Sequence, residues 1–296
     1  MAADYRGRFA PSPTGALHLG SLVAALGSWL RARSRGGTWL VRVEDIDPPR
    51  EVPGAANAQL EALARFGMEP DEPVLRQSTR TDAYLAACAR LQTLGQAYPC
   101  RCSRTDLARY RGVHPERCVA SDSERAPALR MRIGSDPIGF RDRVLGPQSF
   151  TPRALGGDFV VRRVEGWAAY HLAVVVDDAA QGITEIVRGC DLLDSTPRQI
   201  VLQRALGLST PGYAHLPLVT DAHGRKLSKS TADLPVDPCD PLPALRRALA
   251  FLGQQVPAAD DVRRMLRAAV ECFDLDRVPR APAASAGRRQ AVTPSR

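Results

Sequence analysis

Lysine is almost absent from this chain. Of forty basic residues only Lys226 and Lys229 are lysines, and both lie in the pentapeptide Lys226-Leu227-Ser228-Lys229-Ser230. Arginine at every other basic position excludes a general preference for ammonium groups and implies that these two positions need one. Lysine is a compact point charge on a flexible stem, whereas arginine is a planar fork. The first suits a charge that must follow a moving phosphate. A solvated surface loop would account for an isolated K-x-x-K, so the weight rests on what accompanies it. Long apolar runs are missing too. No stretch approaches the ~20 residues of a membrane helix, and none is expected to span a bilayer. Residues 22–30 have the apolarity of a signal core, with Arg6 and Arg8 as a charged start. However, Pro11-Ser12-Pro13-Thr14-Gly15 parts them, and Arg31 and Arg33 stand where small cleavage residues belong. A cytoplasmic location is expected. Seven cysteines, an odd number with clustered spacing, argue against a disulfide framework. Internal repeats are absent.

What is present begins with Arg8-Phe9-Ala10-Pro11-Ser12-Pro13-Thr14-Gly15-Ala16-Leu17-His18-Leu19-Gly20-Ser21. Residues 6–10 suit a short buried strand, which Pro11 and Pro13 end by holding their neighbours extended. Gly15 permits a turn that bulkier residues resist. An amphipathic helix follows, with Leu22, Leu26, Trp29 and Leu30 on one face. Unpaired N–H groups and the positive dipole end at its start form a ready phosphate site. His18 sits there as a donor to phosphate, and Gly20 leaves room for a flat ring to approach the backbone.

At 296 residues and 44% hydrophobic, the chain has length and apolar content for about two domains. Its net charge of +8 favours a polyanionic partner through counterion release, although an arginine-rich composition would also produce it. Residues 38–46 read as a second strand, and 53–66 and 79–94 as helices. Residues 129–133, 140–145 and 158–164 read as strands of a small sheet. Residues 168–176 and 184–188 read as strands returning to the main sheet. Ser195 can cap a helix whose first turn holds Pro197, with Ile200, Val201 and Leu208 on its apolar face. Residues 241–252 and 259–273 suggest two further helices, and 281–296 a disordered tail. Strands alternating with helices imply an α/β fold with a doubly wound, parallel, Rossmann-type sheet. The expected division is a nucleotide-binding catalytic domain (1–97 and 165–236), an inserted zinc-bearing subdomain (98–164) and a short helical C-terminal domain (237–280).

The segment 98–125 has little apolar periodicity but carries Cys100-x-Cys102-x11-His114-x3-Cys118. Thiolates and an imidazole can close a tetrahedral zinc site, and a small insertion without a core gains order from metal. One structural Zn2+ is expected, with Tyr110 as the alternative to His114 in the fourth place. Cys88, Cys190, Cys239 and Cys272 lack partner spacing and read as packing residues.

Together, the His18-Leu19-Gly20-Ser21 element and the lysine-bearing loop resemble the paired nucleotide motifs of class I aminoacyl-tRNA synthetases. The run 8–15, Arg42-Val43-Glu44-Asp45-Ile46-Asp47 and the run 174–188 resemble the glutamyl branch. The resemblance covers roughly residues 5–240. It implies that His18 and Lys229 are catalytic, with Gly20 and Lys226 beside them at ATP, and that Mg2+ accompanies ATP. It also implies a site for L-glutamate made by Arg8, Phe9, Ala10, Pro11, Ser12, Glu44, Tyr170 and Arg188. Arginine can supply charge-assisted bonds to carboxylates, Glu44 an anion for the ammonium, and Tyr170 a hydroxyl. Asp177 and Asp178 could be further ligands, or could sit on an exposed turn after the valine run.

Only about sixty residues follow Ser230, too few for the anticodon-reading domain of a full glutamyl-tRNA synthetase. Together with the phrase 188–199, this resembles the short paralogues that attach glutamate to queuosine in the anticodon loop of tRNA(Asp). A truncated glutamyl-tRNA synthetase core and a catalytically idle tRNA-binding paralogue are the alternatives. A monomer is expected.

Overall fold

The computed structural model describes residues 4–219 and 236–280. Lys226, Lys229 and the tail 281–296 lie outside the described residues.

Strand β1 (Arg6–Phe9) leads into helix α1 (Leu19–Ser34), then β2 (Thr38–Val43), α2 (Ala55–Arg65), β3 (Leu75–Arg76) and α3 (Thr81–Thr93). β1, β2 and β3 are parallel, with Arg6 opposite Thr38 and Phe9 opposite Val41. The chain continues through β4 (Ala97–Cys100), a short α4 (Arg104–Ala108), β5 (Ala128–Met131), β6 (Ile138–Asp142), β7 (Gly146–Phe150) and β8 (Phe159–Arg162). Next come α5 (Tyr170–Ala180), β9 (Glu185–Gly189), α6 (Thr196–Leu206), β10 (Gly212–Leu216), α7 (Pro241–Phe251) and α8 (Val262–Glu271). β9 and β10 pair in parallel. The Thr184 N–H donates to the Arg6 carbonyl at 2.9 Å, and the Arg6 N–H to Thr184 Oγ1 at 2.9 Å, so β9 runs beside β1. The strands thus line up as β3-β2-β1, then β9 and β10.

The side chains of this sheet alternate between two cores, as period-two strands require. On β2, Trp39 and Val41 enter one core and Leu40 the other. On β9, Val187 and Ile186 divide the same way, and on β10 Ala214 and Tyr213. The first core holds Leu22, Leu26 and Leu30 of α1, and the second holds Leu91, Leu172 and Ile200 of α3, α5 and α6. Helices therefore cover both faces, which is the expected double winding. At Gly27 a Cβ would come 2.6 Å from Leu216 Cδ1, so glycine lets α1 lie close on β10.

Two expectations are corrected. Residues 168–176 were expected as a strand, but they begin helix α5. The Val174-Val175-Val176 triplet favours a strand locally. Yet Leu172, Ala173, Val174, Val175, Asp177 and Asp178 are all buried, and near-continuous burial hides any helical period. Asp177 and Asp178 accordingly lie inside the protein, not on an exposed turn. Second, 140–145 was expected in the small sheet. β4, β5 and β8 form that antiparallel sheet, whereas β6 pairs with β10 through Asp142 and Tyr213 and extends the main sheet, with β7 as its outer partner. The C-terminal helices α7 and α8 pack onto α1. Leu245, Leu249, Leu252 and Met265 share the core that holds Leu22 and Leu26.

Candidate active site

A cleft of about 590 Å3 opens at the C-terminal ends of β1 and β9. Every described residue assigned to glutamate or ATP lines it: Arg8, Phe9, Ala10, Pro11, Ser12, His18, Gly20, Glu44, Tyr170 and Arg188. His18 is the N-cap of α1. Its Nδ1 accepts the Ser21 N–H at 3.3 Å, while Ser21 Oγ accepts the His18 N–H at 2.8 Å. A neutral imidazole that accepts at Nδ1 carries its proton on Nε2, so its other edge is a donor. Gly20 suits this placement: a Cβ there would meet the His18 ring at 3.1 Å, close enough that the ring would have to shift.

Beneath the cleft lies a buried ionic network. Asp178 accepts Arg8 Nε at 3.0 Å and Nη2 at 3.3 Å, and Arg42 Nη1 at 2.7 Å. Arg42 is fully buried and also reaches Gln181 Oε1 at 2.9 Å and Glu44 Oε1 at 3.3 Å. Arg8 thus spends its Nε–Nη2 edge on Asp178. Burial pushes the Asp178 carboxyl up, but Arg42 and Arg8 more than offset this and hold it below the ordinary value. The balance reverses at Glu44, where burial outweighs Arg42 and Arg8 and raises the carboxyl. An incoming ammonium would favour the charged form there. Burial, then the Glu44 charge, pushes the Tyr170 hydroxyl up to about 12, so it remains a donor. Asp177 has a structural role, accepting Gln77 Nε2 at 2.9 Å, Arg80 Nε at 3.0 Å and Tyr84 OH at 2.6 Å, which ties α3 to α5.

On the other wall, Arg188 Nε donates to His215 Nε2 at 3.1 Å and Nη2 to Thr196 Oγ1 at 2.8 Å. Arg188 Nη1 is buried and has no hydrogen-bond partner among the described residues. Orphaned buried donors are costly unless a ligand or water takes them.

The cysteine cluster forms a second site. The sulfurs of Cys100, Cys102 and Cys118 lie within 4.8 Å of one another. Cys102 and Cys118 are 3.7 Å apart, against about 3.8 Å for the edge of a tetrahedron with 2.3 Å zinc–sulfur bonds. The Arg101 N–H points to Cys118 Sγ at 3.4 Å and the Val119 N–H to Cys102 Sγ at 3.3 Å, both favouring thiolate. The donor set therefore fits a thiophilic metal. His114 stands beside this trio, not inside it, with Nε2 3.2 Å from Cys100 Sγ. Tyr98 OH donates to Asp158 at 2.8 Å and lies 3.2 Å from His114 Nδ1. With its hydroxyl proton so engaged, Tyr98 accepts from Nδ1–H, leaving the Nε2 lone pair toward the sulfurs. Tyr110, the alternative fourth ligand, is exposed.

The family model for class I tRNA synthetases (E and Q), catalytic domain, matches residues 4–262. The chain belongs to this family. It is 57% identical over 280 residues to the Glutamyl-Q tRNA(Asp) synthetase of Xanthomonas axonopodis pv. citri, covering 93% of each chain. The Glutamyl-Q tRNA(Asp) synthetase of Burkholderia cenocepacia is 54% identical over 266 residues, 86% of this chain and 89% of that protein. Among solved structures, a glutamate tRNA ligase from Elizabethkingia meningosepticum, in complex with its amino acid, matches with a TM-score of 0.79 and 29% identity. That match covers 93% of this chain, which spans 66% of the ligase's length.

In this class I synthetase the sequence pointed to the side chains that face the cleft and missed those that hold them. Asp142, Asp178, Gln181 and His215 carry no motif. The one available signal was Asp178, which had been noted as a ligand or a turn residue and is instead the anchor of Arg8 and Arg42. Among the described residues no helix is long and apolar enough to cross a membrane.

Proposed function

We propose that this class I synthetase activates L-glutamate with ATP and transfers it to queuosine in the anticodon loop of tRNA(Asp). One observation carries the substrate: a single cleft sets a buried carboxylate, Glu44, against two guanidinium groups, Arg8 and Arg188, the recognition set of an amino dicarboxylate. The relatives named Glutamyl-Q tRNA(Asp) synthetase, matched over nearly their full length, support the acceptor.

In the activation step a glutamate carboxylate oxygen attacks the α-phosphorus of ATP, and the bond to the bridging oxygen breaks to release pyrophosphate. The nucleophile is already an anion and needs no strong base. The protein's work is in-line positioning and neutralisation of phosphate charge. His18 at the α1 N-terminus donates to phosphate, with Lys226 and Lys229 as the further cations and Mg2+ accompanying ATP. A queuosine hydroxyl then attacks the acyl carbon and AMP leaves.

The test offers the protein tRNA(Asp) with and without queuosine, and tRNA(Glu), with ATP and labelled glutamate. Label should enter only queuosine-bearing tRNA(Asp), through an alkali-labile ester, and should weaken as salt rises. Preferential labelling of tRNA(Glu) at its 3′ end would instead make this a glutamyl-tRNA synthetase core.

The metal reading completes the proposal. Cys100, Cys102 and Cys118 would hold one structural Zn2+, with His114 Nε2 closing the tetrahedron. Metal analysis of unchelated protein is expected to give about one equivalent, as a single closed site requires. His114→Ala should lose metal to a chromogenic chelator sooner than wild type, and Tyr110→Phe should not. Metal-free fresh protein would overturn the assignment.

A further inference from the structure

We infer that Asp142 and His215 are positioning residues for Arg188, and that they act by fixing the His215 tautomer. The inference rests on the glutamate reading of the cleft. All three groups are buried, and His215 and Asp142 have essentially no exposed surface. Arg188 Nε has a single hydrogen and gives it to His215 Nε2 at 3.1 Å, so Nε2 must be a lone pair. The ring proton therefore sits on Nδ1, which donates to Asp142 Oδ2 at 2.6 Å. Thr196 Oγ1 closes the arrangement, 2.8 Å from Arg188 Nη2 and 3.2 Å from His215 Nε2. Nε and Nη2 are thus both committed to protein acceptors. Nη1 is left as a buried donor without a partner among the described residues, on a residue that lines the cleft. Burial holds His215 below the ordinary histidine value despite Asp142, in keeping with a neutral ring.

Asp142 in turn is held by its own backbone surroundings. Its Oδ1 accepts the N–H groups of Val144 at 3.0 Å, Leu145 at 2.9 Å and His215 at 3.2 Å. Only Oδ2 therefore faces the ring. The consequence is specific to Asp142→Asn. Its carbonyl oxygen must stay with the backbone donors, so its NH2 replaces Oδ2 opposite Nδ1. Nδ1 then has to accept, the ring proton moves to Nε2, and Nε2–H abuts Arg188 Nε–H. Two donors face each other where a bond had been, and the guanidinium loses its alignment. The hairpin of β6 and β7, which joins the main sheet at this pair, thereby sets the geometry of the amino-acid site.

The experiment combines two readouts. In wild-type protein labelled with ¹⁵N-histidine, His215 should be neutral with the proton on Nδ1. An Nε2–H ring or an imidazolium would overturn the proposal whatever the activity. In Asp142→Asn the same resonance should switch to the Nε2–H tautomer. In ATP–pyrophosphate exchange the KM for glutamate should rise roughly ten- to hundredfold, the scale of a lost charge-assisted hydrogen bond. KM for ATP and kcat at saturating glutamate should be unchanged, as for loss of uniform binding. A wild-type glutamate KM in the variant would also overturn the proposal. Absence of glutamate-dependent exchange in the wild type would strike the substrate reading instead, with the tautomer still decided by the resonance.

Discussion

Replacing Asp178 by alanine is expected to destabilise the protein by about 3–5 kcal/mol, the usual cost of removing one partner from a buried ion pair. Asp178 is the shared anion for Arg8 and Arg42, and the side chains of the three are at most 4% exposed. Without it Glu44 alone faces two buried guanidinium groups. The attraction lost is larger than at a surface pair because no solvent screens it. Denaturant unfolding measures the change, and a loss under 1 kcal/mol would show that the network is solvated. The pH dependence follows from the same residue. The folded Asp178 carboxyl lies below its ordinary value, so its stabilisation is complete above the unfolded value. It is lost as pH falls through the lower folded value. The acid limb of the wild-type stability curve should therefore be steeper than that of Asp178→Ala. Glutamate binding should fall with stability, since Arg8 is oriented by Asp178.

Lys229→Ala is expected to slow glutamate activation roughly 10²–10³-fold at saturating glutamate, the range for removing one electrostatic donor to a transition state. The reason is chemical. Negative charge accumulates on the departing pyrophosphate as the α-phosphorus is attacked, so a cation that meets it there acts on turnover more than on ground-state binding. Glutamate binding, measured without ATP, should be nearly unchanged, because the proposed amino-acid site is made by Arg8, Glu44, Tyr170 and Arg188. Lys229→Arg should restore the charge without the compact shape and recover only part of the rate. Pyrophosphate exchange at the wild-type rate in Lys229→Ala would remove this loop from the chemistry.

The two predictions mark how far the sequence could be read. Lys229 stands out in the sequence because a rare residue type occupies a short motif, and its role rests on the exchange measurement, since it lies outside the described residues. The place of His18 at the start of α1 was legible from a short motif, and its capping box with Ser21 spans only three residues. The cysteine spacing likewise announced a thiolate cluster before any coordinates. The valine run was misread because local β-branching and the buried environment pull in opposite directions there. Burial of nearly every side of α5 left no period to detect.

From the amino-acid order alone came the α/β character, the cleft-facing residues Arg8, His18, Glu44, Tyr170 and Arg188, and the clustered cysteines. Each follows from residue type and short-range spacing. Only the tertiary structure decided which groups hold them. Asp178 meets Arg8 across 170 residues, Asp142 meets His215 across 73, and Arg188 meets His215 across 27. Such pairs carry no periodicity. They arise because parallel strands bring distant segments side by side, and a charge removed from water there must find its partner in space.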